Sequence, residues 1–164
     1  MAKRWLVPVD FSAASMQAAT MAATELEAGV DTLHILHVYT VPPLPMSYDW
    51  TSAPSLPATV QEWELGLRSD VARSLERFVL PLRTRFPTLT IYEEVAPGAP
   101  AEAILRIAAE HGVDRIVLAT GGRTGLAHLL LGSIAERVAR LAPCSVLITK
   151  PPPGKPCAGA HPQQ

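Results

Sequence analysis

Short, nearly unbroken apolar runs alternate along the chain with longer segments whose apolar positions recur every three or four residues. Trp5, Leu6, Val7, Pro8 and Val9 form the first run, closed by Asp10, and residues 5–9 read as a buried strand. Ser12 then suits the N-cap of an alanine-rich helix over residues 13–28, with Gly29 as its stop. Residues 32–39, carrying Leu33, Ile35, Leu36 and Val38, return to strand character. The helix between them is long enough for a parallel crossover. Residues 40–58 hold Pro42, Pro43, Pro45, Pro54 and Pro57 and read as a loop. Such a length without its own element is uncommon inside a compact domain, and is often a lid or a binding loop.

From Thr59 onward Val60, Trp63, Leu67, Val71, Leu75, Phe78 and Leu82 mark one face of a long amphipathic helix, kinked or ended near Pro81, with Trp63 in the core. Residues 90–95 are the third strand. Pro100 suits the first turn of the next helix, whose stripe is Ile104, Leu105, Ile107 and Ala108 and whose stop is His111-Gly112. Residues 115–119 are almost wholly aliphatic, as a strand buried on both faces requires. A helix from Gly132-Ser133 to about Leu141 and a fifth strand over 145–149 complete the pattern. Five strands alternating with four helices predict an α/β fold, a doubly wound parallel sheet with helices on both faces. Ligands in such sheets bind beyond the carboxyl ends of the strands, where the strand order reverses. The residues after the first and fourth strands are therefore the candidate site.

Composition narrows the function classes. The 164 residues suit one domain over residues 1–150, followed by a Pro- and Gly-rich tail over 151–164 expected to be disordered. Apolar residues make up 48% and aromatic ones 5%, so the core must be aliphatic. Fourteen basic residues against 15 acidic ones leave a net charge of −1, with no electrostatic footprint for nucleic acid or an anionic membrane. No apolar run approaches the roughly 20 residues of a membrane span, and the N-terminal run is too short for a signal peptide. Cys144 and Cys157 have neither metal nor redox spacing. A cytoplasmic protein is the expectation.

The chemistry concentrates after the fourth strand, in Ala119-Thr120-Gly121-Gly122-Arg123-Thr124-Gly125, with Gly132-Ser133 opening the following helix. Gly121 and Gly122 allow a sharp turn and close approach to a ligand. The helix start offers free amides and a favourable dipole, and Arg123 offers a planar donor fork. Together they make a phosphate cradle.

This spacing resembles the Gly-x-x-Gly-x9-Gly-(Ser/Thr) nucleotide signature of the ATP-binding universal stress proteins, mapped onto Ala119, Gly122, Gly132 and Ser133. The flanking runs Leu129-Leu130-Leu131-Gly132-Ser133-Ile134-Ala135-Glu136-Arg137-Val138 and Ala142-Pro143-Cys144-Ser145-Val146-Leu147 also resemble that family. So do Val7-Pro8-Val9-Asp10-Phe11-Ser12 and Leu36-His37-Val38, and the likeness spans about residues 3–150 without the Pro-rich loop. It implies a Rossmann-like sheet of strand order 3-2-1-4-5. It also implies an adenine near Pro8, Val9 and Val38, with Asp10 at the adenine or ribose. The triphosphate of ATP would lie along Ala119 to Arg123, including Gly122, and on the amides of Gly132, Ser133 and Ile134, with Mg2+ travelling on the phosphates. The family further implies a homodimer through strand 145–149 and a stress-response regulatory module with an unidentified protein partner. Slow ATP hydrolysis or autophosphorylation is a family possibility.

One departure is Ala119, where the signature has glycine. A positive φ there would cost alanine on the order of 1 kcal/mol, and a close backbone approach would bring its methyl against a phosphate. Gly121 adds freedom one step later. Other residues carry plainer readings. Ser133 and Glu136 fit a capping box. Asp10 could bond the turn at Ser12, and Arg123 could be a solvated loop residue. His34 and His37 face opposite sides of a strand and cannot form one metal pair. His111 and His128 read as structural or solvated, and Cys144 as a small buried hydrophobe. Around this loop there is no Walker-type lysine, carboxylate pair or convincing base, and there is no Gly-x-Ser-x-Gly elbow, so the residues support binding without a dedicated catalytic centre. The rival readings are a dimeric interaction protein that has lost its nucleotide through Ala119, and an adenine nucleotide α-hydrolase-type enzyme. Such enzymes carry a Ser-Gly-Gly-x-Asp-Ser type loop, which Asp10-Phe11-Ser12-Ala13 does not match.

Overall fold

Aliphatic runs with no polar face to offer water must pair with one another and be covered on both sides. In the computed structural model, which describes residues 2–41, 60–119 and 132–150, they do so as one parallel sheet. Its strands are β1 (Arg4–Pro8), β2 (Thr32–Tyr39), β3 (Thr90–Pro97), β4 (Arg115–Ala119) and β5 (Ser145–Thr149), in the order β3-β2-β1-β4-β5. The helices are α1 (Ala13–Glu25), α2 (Val60–Arg85), α3 (Pro100–Glu110) and α4 (Ser133–Leu141). Strand order and parallel pairing match the expected Rossmann-like architecture.

Side-chain alternation splits the core into two layers. Trp5, Val7, Leu33, Ile35, Ile91 and Val117 pack with Ala18, Ala19 and Ala22 of α1 and with Leu75, Val79 and Leu82 of α2. Leu6, Leu36, Ala96, Ile116 and Leu118 pack on the other face with Ile104 and Ile107 of α3 and Ala135 and Val138 of α4. The alanine face of α1 lets that helix lie close to the sheet. Among the described residues no helix is long and apolar enough to cross a membrane.

Three expectations require correction. First, α1 ends at Glu25 and not at residue 28, because Leu26 turns extended to bury its side chain and the Asp31 carboxylate takes the Glu27 N–H at 2.8 Å. Gly29, at φ +79°, serves the turn beyond. Second, Pro81 does not end α2, which continues to Arg85. Burial of Val79 and Leu82 on either side of the proline offsets the missing backbone bond. Third, Trp63 is half-buried and lies outside both core clusters, on the N-terminal part of α2.

The histidines divide between the faces as alternation requires. His34 lies 5.0 Å from the Tyr92 ring and 5.1 Å from His111, whereas His37 stacks on Phe11. Burial, and then the neighbouring His111, hold the His34 pKa below its ordinary value. His111 is structural: its Nε2 lies 2.9 Å from Glu94 Oε2. Cys144 is half-buried against the second layer, and burial raises its thiol pKa. Among the described residues no group of three or more His, Cys, Asp or Glu side chains could hold a metal ion. His128, Cys157 and the 151–164 tail lie outside the described residues.

Candidate functional site

Strands β1 and β4 are neighbours at the centre of the sheet, and the chain leaves them in opposite directions. From β1 it passes through α1, on the first layer, to β2. From β4 it passes through α4, on the second layer, to β5. Their carboxyl ends therefore bound the crevice of a topological switch point.

On the β1 side, pairing runs to Pro8 opposite Leu36, and the Val9 N–H adds one more bond to the Leu36 carbonyl at 2.8 Å. The chain then turns sharply. Asp10 Oδ1 accepts from the Ser12 N–H at 3.1 Å, and Ser12 Oγ caps α1 through the Ser15 N–H at 3.2 Å. The turn reading of Asp10 is thus realised, and it holds the carboxylate at the strand end. Phe11 occupies the left-handed region at φ +64°. That conformation costs an aromatic residue about 1–3 kcal/mol and persists only where surroundings enforce it. Those surroundings are aromatic. The Phe11 ring stacks on His37 with centroids 4.1 Å apart at 18°, and meets Phe78 of α2 edge-on at 5.6 Å. His37 Nδ1 lies 2.7 Å from the Val9 carbonyl oxygen.

Val38 is paired through β2 with Ala96. In a parallel ladder the peptide groups of successive residues face alternate neighbours. The Leu36 carbonyl faces β1 and the Tyr39 carbonyl faces β3, where it accepts from Gly98 N–H at 3.0 Å. The Val38 N–H and C=O therefore face the β1 side, at the level where β1 has turned away.

On the β4 side, Ala119 is the last strand residue, paired with Thr149. Its methyl packs against the first core layer, and Phe11 is the only non-glycine with positive φ among the described residues. The positive φ that alanine would resist at this position is not present. Gly122 and Arg123 lie outside the described residues. Gly132 is the N-cap of α4, with no side-chain cap bond. This overturns the capping box: Ser133 is already the first helical residue, one position too late, and Glu136 N–H bonds the Gly132 carbonyl at 2.9 Å. Among the described residues no side chain caps the α4 amides at Ser133 and Ile134. Ile134 is 42% exposed beside them. Because α4 returns to the start of β5, this amide cluster sits at the carboxyl end of the sheet.

The two halves have complementary chemistry. A peptide donor and acceptor at Val38 suit the edge of a heterocyclic base, and an uncapped helix start beyond β4 suits an anion. Sequence reasoning identified Pro8, Val9, Asp10, Val38, Gly132, Ser133 and Ile134 as site candidates, and the fold brings them to the same end of the sheet. It missed Phe11 and His37, for which no periodicity or turn residue gave a signal.

Comparison with known proteins agrees with this architecture. The family model described as the universal stress protein family matches residues 1–150. Universal stress protein MJ0531 of Methanocaldococcus jannaschii is 33% identical over 153 residues, covering 92% of this chain and 83% of its own. The solved structure of MJ0577, from the same organism, superposes with a TM-score of 0.68 at 25% identity, covering 94% of this chain and 99% of that one. A universal stress protein crystallised in complex with cAMP shares the fold, with a TM-score of 0.58 at 22% identity over 91% of this chain and 97% of that one. The chain belongs to the universal stress protein family.

Proposed function

We propose that this chain is a cytoplasmic, adenine-nucleotide-binding regulatory module of the stress response, and that it binds ATP without a dedicated catalytic centre. The observation that carries the reading is the uncapped start of α4 at the switch point, with its amides directed out of the carboxyl end of the sheet. The related protein solved with cAMP supports an adenine ligand in this fold. The adenine is assigned to the edge formed by Pro8, Val9 and Val38, with Asp10 toward the ribose. The phosphates are assigned to the turn after Ala119, to Gly122 and Arg123, and to the amides of Gly132, Ser133 and Ile134. Mg2+ would ride on the phosphates, since it keeps most of its water and few protein ligands. Calorimetric titration with ATP, AMP and cAMP, with and without Mg2+, tests this. Saturable binding is expected, and no heat at millimolar ATP with Mg2+ would overturn the reading.

The backbone at Ala119 supports this reading over the rival, an interaction protein that lost its nucleotide there. Ala119 lacks a positive φ and points its methyl into the core. Ala119→Gly is therefore expected to leave ATP affinity within about threefold of wild type, an effect below 1 kcal/mol. Binding that appears only in the glycine variant would favour the rival.

We further assign homodimerisation to β5. Among the described residues neither edge of the sheet pairs with a further strand, but β3 carries Glu93 and Glu94, whereas β5 reads Ser145-Val146-Leu147-Ile148-Thr149 without charge. Charge on an edge discourages strand addition, and its lack invites it. Ile148 is half-exposed and outside both core clusters, so Ile148→Glu should yield a folded monomer. Light scattering reads the mass directly, and an unchanged dimer mass would refute this interface.

A further inference from the structure

We propose that His37 is a positioning residue for base recognition: its imidazole holds the Val9 carbonyl and its face supports Phe11 in the left-handed turn, keeping β1 off the Val38 peptide edge. The inference rests on the nucleotide reading above and says how this chain would choose among purines.

Three contacts carry it. The Val9 carbonyl is the acceptor that a continuing parallel ladder would offer to the Val38 N–H. In this structure His37 Nδ1 lies 2.7 Å from it. One residue on, β1 cannot continue as a strand because Phe11 is at φ +64°. The ring of that strained residue lies flat on the same imidazole at 4.1 Å and edge-on to Phe78 at 5.6 Å. A single side chain thus grips the end of β1 by its last carbonyl and by the turn that follows. The imidazole must donate from Nδ1 to do this, which fixes its tautomer.

What this protects is a pair of groups with a defined sense. Val38 presents one N–H donor and one C=O acceptor toward the gap. The Watson–Crick edge of adenine offers an acceptor and an amino donor, whereas that of guanine offers a carbonyl and a ring N–H in the opposite sense. A held-open Val38 edge favours adenine, and a collapsed one favours neither.

The test separates hydrogen bond from ring. His37→Phe keeps an aromatic face for Phe11 and loses the donor. His37→Asn loses the ring and places an amide nitrogen where Nδ1 was. Affinities for ATP and GTP are measured by calorimetry on all three proteins, with melting temperatures recorded alongside. Wild type is expected to prefer ATP. His37→Phe should lose at least tenfold in ATP affinity while GTP changes less than threefold, and His37→Asn, which restores the donor without the face under Phe11, should recover part of the preference. Nitrogen-15 shifts of the wild-type imidazole should report the Nδ1–H tautomer without ligand. Four results overturn the proposal: an unchanged ATP-to-GTP ratio in His37→Phe, no preference in wild type, equal losses for both nucleotides that follow a fall in melting temperature, or no recovery in His37→Asn. Wild type that binds no nucleotide overturns the function itself, and is thereby distinguishable from failure of the His37 assignment alone.

Discussion

Replacing Ile35 with alanine is expected to lower the folding free energy by about 2–5 kcal/mol, a large part of the roughly 5–15 kcal/mol available to a domain of this size. Ile35 is 0% exposed, in β2, with Val7 of β1 and Glu93 of β3 in register on either side. A strand bonded on both edges cannot move inward to fill the space left by the lost atoms. The cluster above it, which includes Val79 and Leu82 of α2 and Ile91 of β3, can relax only through the covering helices α1 and α2. At about 2–4 °C per kcal/mol the melting temperature should fall by about 5–15 °C. Leu65→Ala is the control: at 58% exposure on α2 it should change stability by less than about 0.5 kcal/mol. Urea unfolding followed by circular dichroism reads both. Equal losses in the two variants would mean that the two-layer core has been misassigned.

Asp31 is the second sensitive position, and its effect should depend on pH. The carboxylate is 3% exposed and accepts Lys3 N–H on Oδ1 at 2.7 Å and Glu27 N–H on Oδ2 at 2.8 Å, with Lys3 Nζ at 3.7 Å. It thereby ties the start of β1 to the turn between α1 and β2. The Glu27 and Lys3 backbone donors, in that order, hold its pKa below the usual 3.8. Asparagine offers an acceptor on only one of its two terminal atoms, so Asp31→Asn sets a donor against a donor. A lower melting temperature at pH 7 is expected. The pH dependence follows from the depressed pKa. As pH falls below about 4 the unfolded chain takes up a proton that the folded chain refuses, so the stability Asp31 supplies is complete above about pH 5 and is lost on further acidification. The gap between wild type and Asp31→Asn should therefore narrow as pH falls below about 4. A constant gap from pH 7 to pH 3 would show that the carboxylate's charge plays no part.

Much of the architecture is legible in the chain because its signals are local. The strand runs 32–39, 115–119 and 145–149 coincide with β2, β4 and β5, since a run of Val, Ile and Leu between turn residues has few other ways to be buried. The errors share a physical cause. Gly29 was read as a helix stop, yet α1 ends sooner because the burial of Leu26 and the reach of Asp31 decide the boundary. Pro81 reads as a kink or an end, and the end is not realised: α2 continues to Arg85 because Leu75, Val79 and Leu82 are all held in the first core layer. Propensity is worth about 1–3 kcal/mol at such positions, and tertiary burial outweighs it.

The site divides in the same way. The sequence by itself determined the alternation of strands and helices, and from it the switch point beyond β1 and β4, because periodicity and crossover handedness leave few topologies. It also carried the glycine spacing that suggests a phosphate cradle. Only the tertiary structure decided that Ser133 lies inside α4 and leaves its start uncapped, and that the Ala119 methyl points into the core. It alone brought His37 of one strand under the strained Phe11 of another. The last of these joins Val9 and His37, 28 positions apart in the chain, whose meeting is set by strand register and by which face each side chain takes. Neither is encoded in any local window.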